Sequence, residues 1–263
     1  MTVAPHEAQP PENGADERTR ILRLIARLRA EVAELDAASL PGEAPSRAAV
    51  VVRLFDITVT RLYGAAGPPD VELVRSLVAA CGAGAARLVP LEWGRRHFVH
   101  QFLTREFVEA LAARLRASSG APVLEVGAGR GDLAQALRGR GVPVVATDDG
   151  SWLDGRLRWP RGVPEGVERL DYRAALARYR PGIVLCSWMP QGEDWTPAFR
   201  ACPGVREYVL IGEEPGGSTG TRASFEAPPP WRRASLDGIA RHGITRNPDR
   251  GFRTAVHRFW RAA

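Results

Sequence analysis

The chain has 263 residues, of which 44% are hydrophobic and 25% charged, as in an ordinary globular protein. Its three cysteines, Cys81, Cys186 and Cys202, are an odd number without a C-x-x-C pair, so neither a disulfide framework nor a zinc ribbon is expected. No apolar run has the length that a membrane-spanning helix needs, and the first twenty residues are too polar and acidic for a secretory signal. We therefore expect a cytoplasmic protein rather than a secreted, membrane-spanning or fibrous one.

The positive charge of the chain comes from arginine alone. All 36 basic residues are arginine, and the formal net charge is +6. Codon usage in a GC-rich genome explains such a bias simply. The segment 222–263 contains nine arginines and three acidic residues, and such a segment could attract an anionic partner such as a nucleic acid. A solvated arginine-rich face is the simpler interpretation.

The N-terminal part of the chain has no strand-like segment. Residues 1–17 are polar and rich in proline, which predicts a disordered tail. Apolar residues then recur at spacings of three and four, which predicts amphipathic helices and an all-helical extension over residues 18–90. The predicted helices run from Arg18 to the Pro41–Gly42 break, from Ser46 to Tyr63, and from beyond Pro69 to Cys81.

A different pattern begins after this extension. One long helix is predicted over Gly94–Ser118, and short apolar runs then alternate with helical stretches. This alternation predicts βαβ units and a parallel sheet covered on both faces, within a single domain over residues 91–263. The predicted strands are Pro122–Val126, Val142–Thr147, Gly182–Cys186, Tyr208–Gly212 and Thr254–Trp260, and the helices are Asp132–Arg138, Tyr172–Arg178 and Trp231–Arg241.

The most informative motif is a glycine-rich turn after the first of these strands. The segment 123–132 reads VLEVGAGRGD, an apolar strand followed by glycines that let the backbone turn tightly and approach a ligand. The dinucleotide fingerprint G-x-G-x-x-G would need its third glycine where Asp132 stands. Gly131 is the third glycine instead. The motif is therefore E-x-G-x-G-x-G, with Glu125 at its start.

This motif resembles motif I of the class I S-adenosylmethionine (SAM) dependent methyltransferases. The resemblance implies a Rossmann-like, doubly wound, mostly parallel sheet of the seven-stranded type, with SAM as cofactor. It also implies that Glu125 lies near the amino group of SAM. The turn that would pack against the methionine part and the ribose consists of Gly127, Ala128, Gly129 and Gly131.

Two further acids match the family's pattern. Asp148 follows the second strand, and the resemblance implies that its carboxylate binds the ribose hydroxyls. The adjacent Asp149 is the alternative residue for this role. Asp171 and Tyr172 resemble the loop in which an acid meets the adenine amino group and the next side chain flanks the ring. For Asp171 a helix N-cap is an equally good interpretation.

The catalytic loop of the family follows the fourth strand, where this chain has Ser187 and Trp188. Ser187 is a candidate cofactor ligand. In place of the Asn/Asp-Pro-Pro-aromatic signature of many amino-group methyltransferases, this chain has Ser187-Trp188-Met189-Pro190. Trp188 could line the methyl-transfer site, because an aromatic face favours a sulfonium or a cationic amine. Core packing is the alternative. The departure from the signature argues against a DNA-base or glutamine-type acceptor.

An acceptor that loses a proton needs a base. His97, Glu213 and Glu214 are the candidates, and Arg95 or Arg96 could pair with the SAM carboxylate. His97 also lies three residues before His100, but no acidic residue completes a zinc site, so no metal is expected.

We predict a SAM-dependent methyltransferase that acts on an N or O atom of a small-molecule acceptor, with the helical extension as a lid or substrate-binding piece. Three alternatives remain. One is an RNA methyltransferase that uses the arginine-rich C-terminal region, and this alternative predicts strongly salt-dependent binding. The second is a non-catalytic SAM-binding protein. The third is a nicotinamide-dependent dehydrogenase, which Asp132 in place of the fingerprint glycine disfavours.

Overall fold

The computed structural model describes residues 13–37, 44–64, 67–82, 84–118, 122–151, 166–213, 217–247 and 253–262. Helices form the N-terminal part, as predicted. Helix α1 begins at Asn13, within the segment predicted as a disordered tail, and residues 1–12 lie outside the described ranges. The helices are α1 (Asn13–Ala37), α2 (Ala44–Gly64), α3 (Val71–Ala80) and α4 (Val89–His97), with a 3-10 turn at Ala85–Leu88 before α4.

These helices share a hydrophobic core of their own, in which Leu28, Phe55, Val74 and Leu77 are fully buried. Helix α3 begins where it does because the side chain of Asp70 accepts the backbone N–H of Leu73 and so caps the first turn. Phe102 belongs to the same core. The N-terminal core therefore extends beyond residue 90, the predicted boundary of the extension.

The rest of the chain is an α/β unit built on a seven-stranded sheet of order β4-β3-β2-β5-β6-β9-β7. Six of the seven strands run in one direction, and β9, which pairs antiparallel with both β6 and β7, runs in the other. Helices lie on both faces, so the predicted fold class, Rossmann-like and doubly wound, is confirmed. The strands are β2 (Val123–Val126), β3 (Val144–Asp148), β4 (Val167–Arg169), β5 (Ile183–Ser187), β6 (Glu207–Glu213), β7 (Trp231–Ser235) and β9 (Thr254–Arg261).

Strands β2, β5 and β6 are buried along almost their whole length, as expected for central strands of a sheet with two covered faces. Two hydrophobic clusters cover these faces, one around Leu111 and Leu137 and the other around Phe199 and Tyr208. The helices of this unit are α5 (Arg105–Ala117), α6 (Asp132–Arg138), α7 (Tyr172–Tyr179), α8 (Thr196–Ala201) and α9 (Asp237–Ala240).

The prediction of one helix over Gly94–Ser118 is wrong. Helix α4 ends at His97 because Phe98 adopts a left-handed backbone conformation with φ 56°, and its N–H bonds back to the carbonyl of Gly94. Helix α5 starts anew at Arg105, where the side chain of Thr104 accepts the N–H of Phe107. A short strand, β1 (Gln101–Phe102), lies between the two helices.

The predicted helix over Trp231–Arg241 is also wrong. Residues 231–235 form β7, the edge strand that pairs with β9, and only the four residues of α9 that follow are helical. Strand pairing is a tertiary preference, and it outweighs a local helical pattern here.

Two short strands that lie far apart in the sequence and pair with each other were not predicted. Strand β1 pairs antiparallel with β8 (Ile244–Thr245), with Gln101 opposite Thr245. We call this two-stranded unit the β1–β8 ribbon. It connects the end of the N-terminal helices to the segment just before β9. Within the described residues, no helix is both long and apolar enough to cross a membrane.

Candidate functional site

The glycine turn lies at the carboxyl end of β2, where open α/β sheets bind their ligands. Gly127, Gly129 and Gly131 all have positive φ angles, of 63°, 54° and 76°. A Cβ at Gly131 would overlap Cγ2 of Val167, whereas a Cβ at Gly129 would meet no atom within 4 Å. The backbone thus needs glycine at all three positions, and the space beside Gly129 is open.

Asp148 connects the second strand to this turn. Its Oδ2 accepts the backbone N–H of Gly129 at 2.8 Å, and its Oδ1 accepts that of Gly150 at 2.7 Å. Asp148 is only 5% exposed. Its neighbour Asp149 is exposed and accepts only the N–H of Ser151 among the bonds of the described residues. The structure therefore brings Asp148 to the turn and leaves Asp149 at the surface.

Glu125 lies beneath the turn. Its side chain is 1% exposed and accepts the backbone N–H of Ala134 in α6, while its Oε2 is buried without a hydrogen-bond partner among the described residues. Burial raises the pKa of Glu125 to about 8, and nearby Arg138 counteracts only part of this effect. Glu125 is thus mostly protonated at neutral pH.

The loop after β4 supplies both residues predicted for the adenine end. Asp171 is the N-cap of α7, and its Oδ1 accepts the N–H groups of Arg173 at 2.9 Å and Ala174 at 3.2 Å. The predicted capping role is thereby confirmed. Tyr172 stacks on Trp195 at 4.7 Å between ring centroids, and Trp195 in turn lies over the turn, 2.8 Å from where a Cβ of Gly127 would stand. Sequence reasoning missed Trp195.

Ser187 is the last residue of β5 and is half-buried. Trp188 follows with φ 60°, a left-handed conformation that a bulky residue rarely adopts. Its ring stacks on His100 at 5.2 Å, and its Nε1 donates to Oε1 of Gln101 at 3.3 Å. Such strained positions cluster at functional sites, and this one lies at the ligand edge of the sheet.

His97, the predicted base, contacts other residues than those around Trp188. Its ring stacks on Trp93 at 4.4 Å, and its Nε2 lies 3.7 Å from Oδ1 of Asp56 in α2. Burial lowers the pKa of His97, against the effect of Asp56. Its backbone carbonyl accepts a hydrogen bond from Nη1 of Arg130, so His97 is still close to the glycine turn. The histidine that contacts Trp188 is His100.

Glu213, at the end of β6, is 2% exposed and holds two neighbouring segments. Its Oε1 accepts the hydroxyl of Thr245 in the β1–β8 ribbon, and its Oε2 accepts the N–H of Ser218. Glu213 therefore joins the β1–β8 ribbon to the segment after β6. Glu214, the other predicted acid, lies outside the described residues.

The two predicted arginines are exposed. Arg95 pairs with Glu92 at 3.0 Å, one helical turn away, and Arg96 is exposed in the same helix. Within the described ranges, no group of three or more His, Cys, Asp or Glu side chains could hold a metal ion.

A separate cavity of about 380 Å³ opens at the amino ends of β5 and β6, where Arg206 and Arg261 are among its lining residues. Glu207 in this cavity pairs with Arg114 at 2.8 Å and with Arg258 at 2.9 Å. Because the glycine turn lies at the opposite ends of the strands, this cavity is not part of the candidate site.

Comparison with known proteins gives structural matches only. No family model matches the chain, and no curated protein does. Among solved structures, the chain is similar to the 23S rRNA methyltransferase ErmE, with 19% identity over 61% of this chain and 69% of that one, at a TM-score of 0.37.

It is also similar to the Burkholderia thailandensis 1,6-didemethyltoxoflavin-N1-methyltransferase with bound S-adenosylhomocysteine (SAH), at 19% identity over 68% and 89% of the two chains and a TM-score of 0.35. A third similar structure is PigF with SAH, at 12% identity over 97% and 100% of the chains and a TM-score of 0.37. With identities this low and TM-scores below 0.5, none of these similarities bears on function. The fold is established by the order and direction of the strands.

Proposed function

We propose that the protein is a SAM-dependent methyltransferase that transfers a methyl group to an N or O atom of a small-molecule acceptor. The observation that supports this most is the joining of Asp148 to the glycine turn through the N–H of Gly129, next to open space at that glycine. An acid beside such a turn is suited to a nucleoside, whose hydroxyls donate hydrogen bonds to it.

The residues present fit such a cofactor. Asp148 would hold the ribose, the turn around Gly129 would pack against the methionine part, and the stacked Tyr172–Trp195 pair would lie beside the adenine. When bound, SAM supplies an electrophilic methyl group on a sulfonium. The chain's own contribution is to orient the acceptor at the carboxyl end of β5, since an in-line displacement depends chiefly on proximity and alignment.

An acceptor N–H or O–H needs a group that accepts its hydrogen bond while the methyl group is transferred. We assign this part to His100 rather than to His97, because His100 stacks on the Trp188 ring and its Nδ1 is buried without a hydrogen-bond partner among the described residues. Burial, reinforced by Arg246, lowers the pKa of His100 to about 4. The imidazole is therefore neutral at pH 7, and it is a weaker base than an ordinary histidine, which suits it to accepting a hydrogen bond rather than to holding the proton.

A small acceptor is favoured over RNA because several C-terminal arginines are engaged within the protein. Arg258 pairs with Glu207, Arg233 donates to the carbonyl of Phe225, and Arg261 donates to that of Arg200. Glu207 thus partly neutralises Arg258, and the other two guanidinium groups each have part of their donors bonded to the backbone.

The test uses two glycines with similar backbones. Gly129 and Gly141 both have positive φ and open space at the Cβ position, so Gly129→Ala and Gly141→Ala impose similar strain. We expect SAM and SAH to bind the wild type and Gly141→Ala in calorimetric titration, and Gly129→Ala to lose about tenfold or more in affinity because a methyl group occupies the cofactor's place. Binding of NADH in place of SAM and SAH would contradict the proposal, as would equal affinities of the two variants.

A further inference from the structure

The cavity at the amino ends of β5 and β6 has a strongly positive lining. Its volume of about 380 Å³ is within the range of about 300–1,000 Å³ in which small-molecule sites are found. Five of its lining residues are charged, namely Arg114, Arg206, Glu207, Arg258 and Arg261. Four positive charges and one negative charge give this lining a formal net charge of +3. An anion is therefore the kind of ligand that the cavity favours.

Glu207 shares its one negative charge between two of these arginines. It is 5% exposed. Its Oε1 accepts a hydrogen bond from Nη2 of Arg114 at 2.8 Å, and its Oε2 lies 2.9 Å from Nη2 of Arg258. The hydroxyl of Ser118 also donates to this carboxylate, at 3.2 Å from Oε2. Arg114 and Arg258 are thereby held in the cavity wall, with less than one full negative charge to balance each of them.

Arg258 keeps donor capacity that the described part of the chain does not use. Its guanidinium lies over the Trp260 ring, with Cζ 4.6 Å from the ring centroid, an arrangement that favours a fixed plane for the group. Its Nε is buried and has no hydrogen-bond partner among the described residues. A desolvated cation with an unpaired N–H is stabilised by an anion beside it.

Arg206 and Arg261 lie beside each other at the end of the sheet. The backbone N–H of Arg261 donates to the carbonyl of Arg206 at 3.1 Å, one residue beyond the Glu207–Trp260 pair of β6 and β9. Both arginines are exposed, and no carboxylate in the described ranges forms an ion pair with either of them. Nη2 of Arg261 donates to the carbonyl of Arg200, which is a neutral group. Neighbouring positive charges without a counter-charge repel each other, and an anion close to them relieves this repulsion.

We propose that this cavity is a second ligand site, which binds a small molecule through a phosphate group. Phosphate fits better than a carboxylate because a phosphate monoester carries about −1.5 to −2 charges near neutral pH, whereas a carboxylate carries one. Its terminal oxygens accept hydrogen bonds from several guanidinium groups at once, and arginine is well suited to such recognition. We assign the contacts to Arg258 in the wall and to the exposed Arg206 and Arg261.

The site is separate from the candidate cofactor site. Strand β5 runs from Ile183, which lines the cavity, to Ser187 at its carboxyl end, and this length of strand spans about 13 Å. A small ligand in the cavity is therefore not the methyl acceptor, and the inference does not depend on the proposed function. A nucleic acid is the less suitable partner, because the side chains of Arg114 and Arg258 are only 19% and 31% exposed, whereas an interface with nucleic acid covers a surface of roughly 1,000 Å² or more.

Calorimetric titration of the cofactor-free protein with inorganic phosphate and with pyrophosphate tests the site. Arg206→Gln/Arg261→Gln removes the two exposed arginines, and we expect it to weaken pyrophosphate binding about tenfold or more. Arg53→Gln/Arg116→Gln is the matched control, because both of its arginines are exposed, lie outside the cavity lining and change the net charge equally. Arg116 also donates to a backbone carbonyl, as Arg261 does. The control should bind pyrophosphate like the wild type.

Arg258→Gln tests the wall of the cavity, and it should weaken pyrophosphate binding as well. The indole ¹H–¹⁵N signal of Trp260 should shift on titration with pyrophosphate, while that of Trp188, at the other end of β5, stays in place. Absence of phosphate and pyrophosphate binding by the wild type, or equal losses in the two double variants, would overturn the inference. So would a short single-stranded RNA whose binding is lost in Arg206→Gln/Arg261→Gln while pyrophosphate does not bind, since these arginines would then serve a nucleic acid.

Discussion

The Oδ2 atom of Asp148 accepts the backbone N–H of Gly129 at 2.8 Å, so the end of β3 and the turn after β2 are one hydrogen-bonded unit. Through its other oxygen Asp148 also holds Gly150. A single buried carboxylate therefore organises two backbone segments at the edge where a ligand would lie.

From this relationship we expect Asp148→Ala to abolish most SAM binding, by about 100-fold or more, since charge-assisted bonds to the turn are lost together with those to the ligand. Asp149→Ala should change affinity less than about threefold, because that side chain is exposed. Calorimetry of both variants with SAM decides between the two acids. Equal losses would contradict the assignment to Asp148.

Substitution of Gly131 should lower the free energy of unfolding more than substitution of a glycine with a similar backbone and open space around it. An Ala side chain there combines φ 76° with an overlap on Val167, whereas Gly141 has φ 75° and open space. We expect Gly141→Ala to cost about 1–2 kcal/mol of unfolding free energy, and Gly131→Ala at least about 1 kcal/mol more. Denaturant unfolding measures both. In the double variant Gly131→Ala/Val167→Ala the extra cost of the overlap should disappear, and additive losses would show that the overlap is not the cause.

The raised pKa of Glu125 implies that the stability of the protein depends on pH. Its folded-state pKa of about 8 lies above the value in an unfolded chain, so between about pH 5 and 8 the folded state binds the proton more tightly. Stability that this proton contributes is present at low pH and is lost as pH rises, by up to about 1.4 kcal/mol per pH unit. We expect Glu125→Gln to lack this decline in urea unfolding without cofactor. A parallel decline in wild type and variant would exclude Glu125 as its source.

Two substitutions of Asp171 separate its role as helix cap from the proposed contact with adenine. Asp171→Ser keeps a side chain that can cap α7, while Asp171→Ala removes the cap at a cost of about 1 kcal/mol. If the carboxylate also meets adenine, Asp171→Ser should be as stable as the wild type and yet bind SAM less tightly. Unfolding and SAM titration of both variants measure this. A variant with wild-type affinity would leave capping as the role of Asp171.

Local sequence was enough to predict the strand, turn and helix of the candidate site, because their signal is continuous in the chain. The strand, the glycines and Asp148 follow one another within residues 123–148, and α6 runs over Asp132–Arg138 as predicted. The break at Phe98 was not predicted. The left-handed turn there ends α4 and separates His97, which stacks on Trp93, from His100, which stacks on Trp188.

The remaining parts of the site depend on pairings between distant residues. Gln101 meets Thr245 only through the β1–β8 ribbon, a strand pair too short to show a period-two pattern. Trp195 lies over Gly127 because of how the loop before α8 folds back. Neither relationship has a local signature, which is why the sequence did not indicate Gln101 or Trp195.

The β1–β8 ribbon has a consequence for the order in which the protein assembles on the ribosome. Strands β2 to β5 and the glycine turn are complete once residue 187 has been synthesised, so the cofactor edge can form early. Gln101 has no strand partner until Thr245 follows. A nascent chain between these two lengths would thus contain the glycine turn before the ribbon exists, and the ribbon would form only near the end of synthesis.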